Sequence, residues 1–215
     1  MTARFRDNTL WVGFACACTA ATAWLGLYGF GWNDYDTEAR SAIDALVQGH
    51  LNTFFALAPV YGGSLLERAP FALAPSLWGG GELAIYRMMA LPCLLAAAAL
   101  GLWFRAHART LGLSRLTQAV VLGLFVANPI ALAGLELGHP DELLGGALCV
   151  AAVLLAFSAR PAWAGLVLGL AFANKQWAIL ALGPVLLALP ARRALCLSVA
   201  GAVSMTLFAP FALFG

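Results

Sequence analysis

The chain has 215 residues, 62% of them hydrophobic and 10% charged, with a mean hydropathy of +0.86 and a formal charge of +2. A soluble domain carries about 25% charged residues, so that class is excluded, and so small a net charge leaves no electrostatic footprint for nucleic acid. Five cysteines (Cys16, Cys18, Cys93, Cys149, Cys196) lie inside apolar runs without paired spacing, which argues against a disulfide framework or a metal site.

A membrane span needs about 20 mostly apolar residues. The first is expected from Leu10 to Phe30, behind the basic start "MTARFR", and reads as a retained anchor because no small-residue cleavage site follows it. Residues 31–81 form the most polar segment. Within it, "DTEARSAIDALVQGH" places Ala39, Ala42, Ile43, Leu46 and Val47 on one helical face, as in an amphipathic interfacial helix ended by Gly49. "APVYGGSLLERAPFALAP" supplies turns and a second short apolar helix, and the glycines at 79–81 make a turn before the next span. Further spans are expected over about 83–104, 116–135 and 143–158, and from Leu195 to Gly215. The chain thus ends inside an apolar helix, as the N-terminal part of a longer protein would.

The run from Pro161 to Pro190 is too long for one upright helix, and "NKQW" at 174–177 interrupts it. A single tilted helix would bury Lys175 near the bilayer centre at a cost of several kcal/mol. Two short helices would bring it to the outer boundary. Cytoplasmic loops are enriched in Lys and Arg. With the N-terminus inside and the run split, Arg4, Arg6, Arg105, Arg109, Arg115, Arg160, Arg192 and Arg193 fall on the inner side. These are eight of the twelve basic residues, and every acidic residue except Asp7 falls outside or at the outer edge. The expectation is an all-α polytopic bundle, a single transmembrane domain over 1–215 with about seven apolar helices. No G-x-G-x-x-G follows a strand and there is no P-loop, so no nucleotide site is indicated.

On this topology Asp34, Asp36, Arg87, His139, Asp141, Glu142 and Lys175 converge at the outer membrane–water boundary, an arrangement suited to a lipid-linked phosphate. Each has a plainer explanation. "HPDE" could be only a helix start, with Pro and acids in the first turn. Arg87 could snorkel, Lys175 could tip a solvated loop, and "DYD" could be a solvated loop. The inner arginines and His107 read as topology determinants. A secondary transporter also gathers ionisable groups near a broken helix, and a non-catalytic membrane subunit is a further alternative.

The order "NDYDTEAR", "VYGGSLLERAPF", "YRMMALP", "NP", "GHPDE", "GLVLGLAFANKQW" and "LGPVLLALP" resembles the GT-C superfamily of polytopic glycosyltransferases, and most of all its family 87 type, which uses polyprenyl-phosphate-mannose. The resemblance implies transfer of mannose or a related hexose or pentose from a polyprenyl-phosphate donor. The acceptor would be a lipid or glycan on the outer face of the cell membrane. It also implies an acidic general base in the first outer loop, matched by Asp34 or Asp36, and a Gly-rich helix leading into a Lys, matched by "GLAFANK". Arg87 and Lys175 would then offset the charge of the departing phosphate. His139 would hydrogen-bond phosphate or sugar, and Asp141 or Glu142 would bind sugar hydroxyls. Gln176 and Tyr61 join them as substrate-binding candidates. No cofactor is expected, a divalent metal being left open, and the partners are the donor, the acceptor and membrane lipids. Family members are longer, so the acceptor-binding portion is expected beyond residue 215.

Overall fold

The computed structural model describes residues 2–28, 33–59 and 62–214, with side chains from residue 7 onward. Tyr61 lies outside the described residues. All regular structure among the described residues is helical, and the protein is an all-α polytopic membrane protein.

Helix α1 (Thr2–Leu27) precedes the polar segment. That segment opens with one π-helical turn (Tyr35–Ala39) running directly into α2 (Arg40–Val47), and continues through α3 (Leu51–Leu57) and α4 (Gly63–Leu73). Gly49, at φ +81°, ends α2. A single 3-10 turn (Ala74–Trp78) leads to α5 (Glu82–Thr110), the longest helix. Then come α6 (Arg115–Val126), α7 (Pro129–Glu136), α8 (Pro140–Phe157), α9 (Pro161–Asn174), a 3-10 segment (Gln176–Ala181), α10 (Leu182–Ala188) and α11 (Arg193–Phe214). Asp7–Leu27, Glu82–Thr110, Arg115–Glu136, Pro140–Phe157 and Arg193–Phe214 are long and apolar enough to cross a membrane.

The span expected over about 116–135 is found at Arg115–Glu136, with a helix break inside it between α6 and α7. Asn128 takes an extended conformation, and its Oδ1 accepts from the Ala131 N–H at 2.8 Å, while Pro129 opens α7. An Asn cap followed by Pro is a strong start signal, and it overrides the continuous hydropathy of the run. The apolar run after Pro161 also divides. Lys175 is extended (φ −150°, ψ 134°), and the segments beyond it pack back along α8.

Two cores organise the bundle. One joins the polar segment to the membrane helices, with Ile43, Phe54, Leu65, Tyr86, Met89 and Leu135 wholly or almost wholly buried. The other holds α8, α9, α10 and α11 together through Ala152, Ala164, Leu168, Val185, Leu189 and Cys196. In lipid, where apolar side chains gain little by leaving the solvent, such contacts depend on close packing. The α9–α11 contact shows this: Gly165 and Gly169 meet the Cys196 and Ala200 backbone, and Ser204 Oγ donates to the Gly169 carbonyl at 3.0 Å.

α1 and α5 are tied together near both ends. Arg87 donates to the Leu27 carbonyl, and Arg105 donates to Asp7 Oδ2 at 3.1 Å. The two arginines are 18 residues apart, about 27 Å along a helix. The polar contacts of the polar segment, α8 and the Lys175 break therefore gather at the end of the bundle opposite Asp7.

Candidate active site

The site is built on the turn between α7 and α8. Gly138 takes φ +92°, a left-handed conformation that L side chains rarely adopt. A Cβ there would lie 2.5 Å from Tyr35 N and 2.8 Å from Asn33 Oδ1, so only glycine admits the 33–35 backbone at this distance. The approach is fastened twice: Asp34 N–H donates to the Leu137 carbonyl at 3.2 Å, and Asn33 Nδ2 donates to the Glu136 carbonyl at 3.3 Å. His139 then stands at the N-cap position of α8, but its side chain makes no capping bond. Its Nε2 lies 2.9 Å from Asp34 Oδ2 instead. Pro140 opens the helix and fixes the backbone behind the imidazole.

The two candidate bases have different environments. Asp34 keeps 54% of its side chain exposed beside His139. Asp36 keeps 2%, accepts from the Asn33 N–H at 3.0 Å, and pairs with Arg40 at 3.2 Å. Arg40 also pairs with Glu82, across to α5. Asp36 is thus bound into the packing of the π-turn, and Asp34 is the accessible carboxylate.

One residue beyond Pro140, the chemistry is buried. Asp141 keeps 3% of its side chain exposed; its Oδ2 lies 2.7 Å from Lys175 Nζ and its Oδ1 3.7 Å from Arg68 Nη2. Lys175 also reaches Glu142 Oε1 at 3.3 Å. Asn174 Nδ2 donates to the Asp141 carbonyl at 2.8 Å, and Trp177 Nε1 donates to Glu142 Oε2 at 2.7 Å. Lys175 is accordingly buried and paired, not the tip of a solvated loop. Gln176 is exposed on the turn beside it.

Sequence reasoning passed over several members of this cluster. Arg68 is buried on α4 and donates to the Ser64 carbonyl and hydroxyl. Its neighbour Glu67 has Oε1 buried without a partner among the described residues. Burial pushes the Glu67 carboxyl up to about 8, Asp141 adding to the rise and Arg68 opposing it. At neutral pH Glu67 is mostly protonated, and the cations Arg68 and Lys175 face the carboxylates of Asp141 and Glu142. The available signal was "LLERAPF": a Glu-Arg pair inside an apolar helix has to be buried with partners or turned to water, and α4 has little polar surface.

Among the described residues, Arg87 is a sequence-derived candidate that bonds neither the Asp34–His139 pair nor the Asp141 cluster. Its guanidinium donates to the Leu27 carbonyl at 3.0 and 3.2 Å, on the seam between α1 and α5, and it makes no ion pair among the described residues. The physical reason is helical phase. Tyr86, the preceding residue, faces the core and bonds the Leu135 carbonyl with its hydroxyl at 2.5 Å, so Arg87 is turned away by about 100°.

The resemblance implied an acidic residue in the first outer loop and a Gly-rich helix leading into a Lys, and Asp34 and Lys175 stand at those positions of the sequence. The family 87 glycosyltransferase model matches residues 63–215, well over half of the chain. The protein belongs to glycosyltransferase family 87. It is a multi-pass membrane glycosyltransferase, and as such uses a sugar donor and an acceptor. No curated protein and no solved structure matches the chain. The matched region contains Arg68, His139, Asp141, Glu142 and Lys175, while Asp34 precedes it.

Proposed function

We propose that this family 87 enzyme moves a sugar, mannose or a related hexose or pentose, from a polyprenyl phosphate to an acceptor hydroxyl, with Asp34 as general base. The observation that supports this most is the 2.9 Å contact of His139 Nε2 with the exposed Asp34 carboxylate, held by two further bonds between the same two turns. In the reaction, the acceptor oxygen attacks the anomeric carbon while Asp34 takes its proton. The bond from that carbon to the phosphate oxygen breaks, and the polyprenyl phosphate leaves with the electron pair. One base suffices, and the configuration inverts.

His139 is a positioning residue in this scheme. With its proton on Nε2, the imidazole donates to Asp34 Oδ2 and points the other carboxylate oxygen toward the acceptor. That tautomer is assigned from the hydrogen bond. Lys175 and Arg68 lend positive potential to the departing phosphate in a water-poor setting, where such fields act strongly. Asp141 holds the two cations together, and Asp36 holds the loop. Arg87, on the α1–α5 seam, is given no role in this scheme.

The same reading places the N-terminus in the cytoplasm and the His139 end outside, where a nucleotide donor is absent and a lipid-linked one serves. Cysteine labelling at Gln48, His139 and Gln176 should mark all three from outside. The decisive experiment is transfer from a polyprenyl-phosphate sugar by the Asp34→Asn variant of the membrane-embedded enzyme. Transfer at the normal rate would remove Asp34 from the mechanism.

A further inference from the structure

Among the described residues, Trp177 is the one tryptophan whose indole N–H is bound to a carboxylate. Nε1 donates to Glu142 Oε2 at 2.7 Å. Its benzene ring lies against Gly145, where a Cβ would come within 3.2 Å of Cζ2. The same glycine makes room for Asn174, whose Nδ2 would be 2.8 Å from that Cβ. Gly145 therefore admits the Lys175 break onto α8, and Trp177 is pinned there at two points. Trp177 still keeps 39% of its surface open. Trp24, Trp78 and Trp163 are more exposed, at 65%, 59% and 59%, yet none has a carboxylate holding its N–H. An aromatic that only anchors a helix at the membrane surface needs no such bond.

We propose that Trp177 is a stacking platform for a pyranose ring, with Glu142 as the adjoining acceptor for its hydroxyls. A pyranose has an apolar face of C–H bonds and a rim of hydroxyls. The electron-rich face of an indole attracts the slightly positive C–H face, and a rigid ring gives up little entropy on binding. Glu142 Oε2 carries the Trp177 bond, but a carboxylate oxygen has a second lone pair, and Oε1 keeps only the 3.3 Å contact with Lys175. A sugar hydroxyl donating to this carboxylate gains a charge-assisted bond. Gln176, exposed between Lys175 and Trp177, adds an amide of either polarity at the rim. The assignment rests on the transferase reading only for its choice of ligand class. It gives the Gly145 and Trp177 pair a role beyond helix packing.

The test is a binding measurement that needs no turnover. The full chain, labelled with 5-fluorotryptophan in phospholipid nanodiscs, is followed by 19F NMR, and the Trp177 line is identified by its loss in Trp177→Phe. Octyl mannopyranoside is titrated against the sugarless octyl tetraoxyethylene ether. The expected result is a saturable shift of the Trp177 line with the glycoside alone, weakened several-fold in Glu142→Gln. No shift, or an equal shift with both amphiphiles, would reduce Trp177 to an interfacial anchor and overturn the proposal. An Asp34→Asn enzyme that still transfers sugar would sink the catalytic assignment while leaving this measurement intact, so the two can fail separately.

Discussion

Asp7 and Asp141 are both carboxylates surrounded by cations, at opposite ends of the same bundle, and they do different work. Asp7 meets Arg105, Arg109 and Arg115 at 3.1, 3.3 and 3.0 Å, and Arg115 keeps 79% of its side chain in the open. The Arg105 guanidinium also rests 4.4 Å over the Trp11 ring and bonds Gln118. This end has more positive than negative charge, stays open, and ties α1 to α5 and α6. Asp141 meets two cations that are almost as buried as itself. Solvent screens the first arrangement, whereas in the second a removed partner leaves an uncompensated charge. Ion pairs of similar length are thus open to solvent screening at one end and buried from it at the other.

The sharpest way to break the comparison is at the proposed base. Asp34→Asn should lower transfer by about 10²–10⁴-fold, the usual loss of a general base, with Tm unchanged because Asp34 is exposed. Asp36→Asn should instead lower Tm, by loosening the Arg40 contact. Equal activity in both variants would show that neither is the base.

Next in size is Asp141→Asn, which leaves Arg68 and Lys175 facing each other without their shared carboxylate. A cost of about 3–5 kcal/mol is expected, read as a fall in Tm in detergent. Asp7→Asn should fall by much less, and added salt should narrow the gap between Asp7→Asn and the wild type but not that of Asp141→Asn. Equal losses at the two ends would erase the distinction.

Gly138→Ala tests the turn. A left-handed alanine costs about 1–3 kcal/mol, and its Cβ must push the Tyr35 backbone away, parting His139 from Asp34. The expected signature is a kcat loss larger than the Tm loss predicts, with KM little changed.

The last effect is a slope. The Glu67 carboxyl titrates near 8 in the folded chain against an ordinary value of 4.5. The folded state therefore holds a proton that the unfolded state has released. The stability this contributes is complete below about pH 4.5 and is lost as pH rises through about 8. Glu67→Gln should flatten Tm against pH across that window and leave Tm near pH 5 unchanged. A wild-type curve already flat from pH 5 to 8.5 would contradict this.

Much of the architecture was readable because charges are scarce in this chain. "NKQW" interrupts an apolar run, and the chain does break at Lys175; "GHPDE" collects acids before an apolar run, and α8 does begin there. The break at Asn128 was hidden, because hydropathy is continuous across it and only cap chemistry marks it. Within the site, the stretch carrying His139 and Asp141 stood out, and so did "DYD". Which of the two aspartates is accessible did not, since a one-turn π-helix sends Asp36 inward, and no periodicity rule distinguishes it from α. Arg68 and Glu67 were passed over because the carboxylate they face, Asp141, is more than 70 residues away in sequence, and a pairing of that range leaves no local pattern.

Helix α9 has 14 residues, a length of about 21 Å, against about 30 Å of hydrocarbon in an ordinary bilayer. The hairpin it forms with α10 is therefore shorter than the hydrocarbon of such a bilayer. A membrane meets such a mismatch by thinning locally or by letting water down to the polar turn. Both lower the headgroup plane toward Lys175. On the proposed donor chemistry, a lipid-linked substrate drifting in the leaflet would then find its phosphate already near the depth of the proposed site. It would travel there sideways, along the dimple that such a mismatch would make.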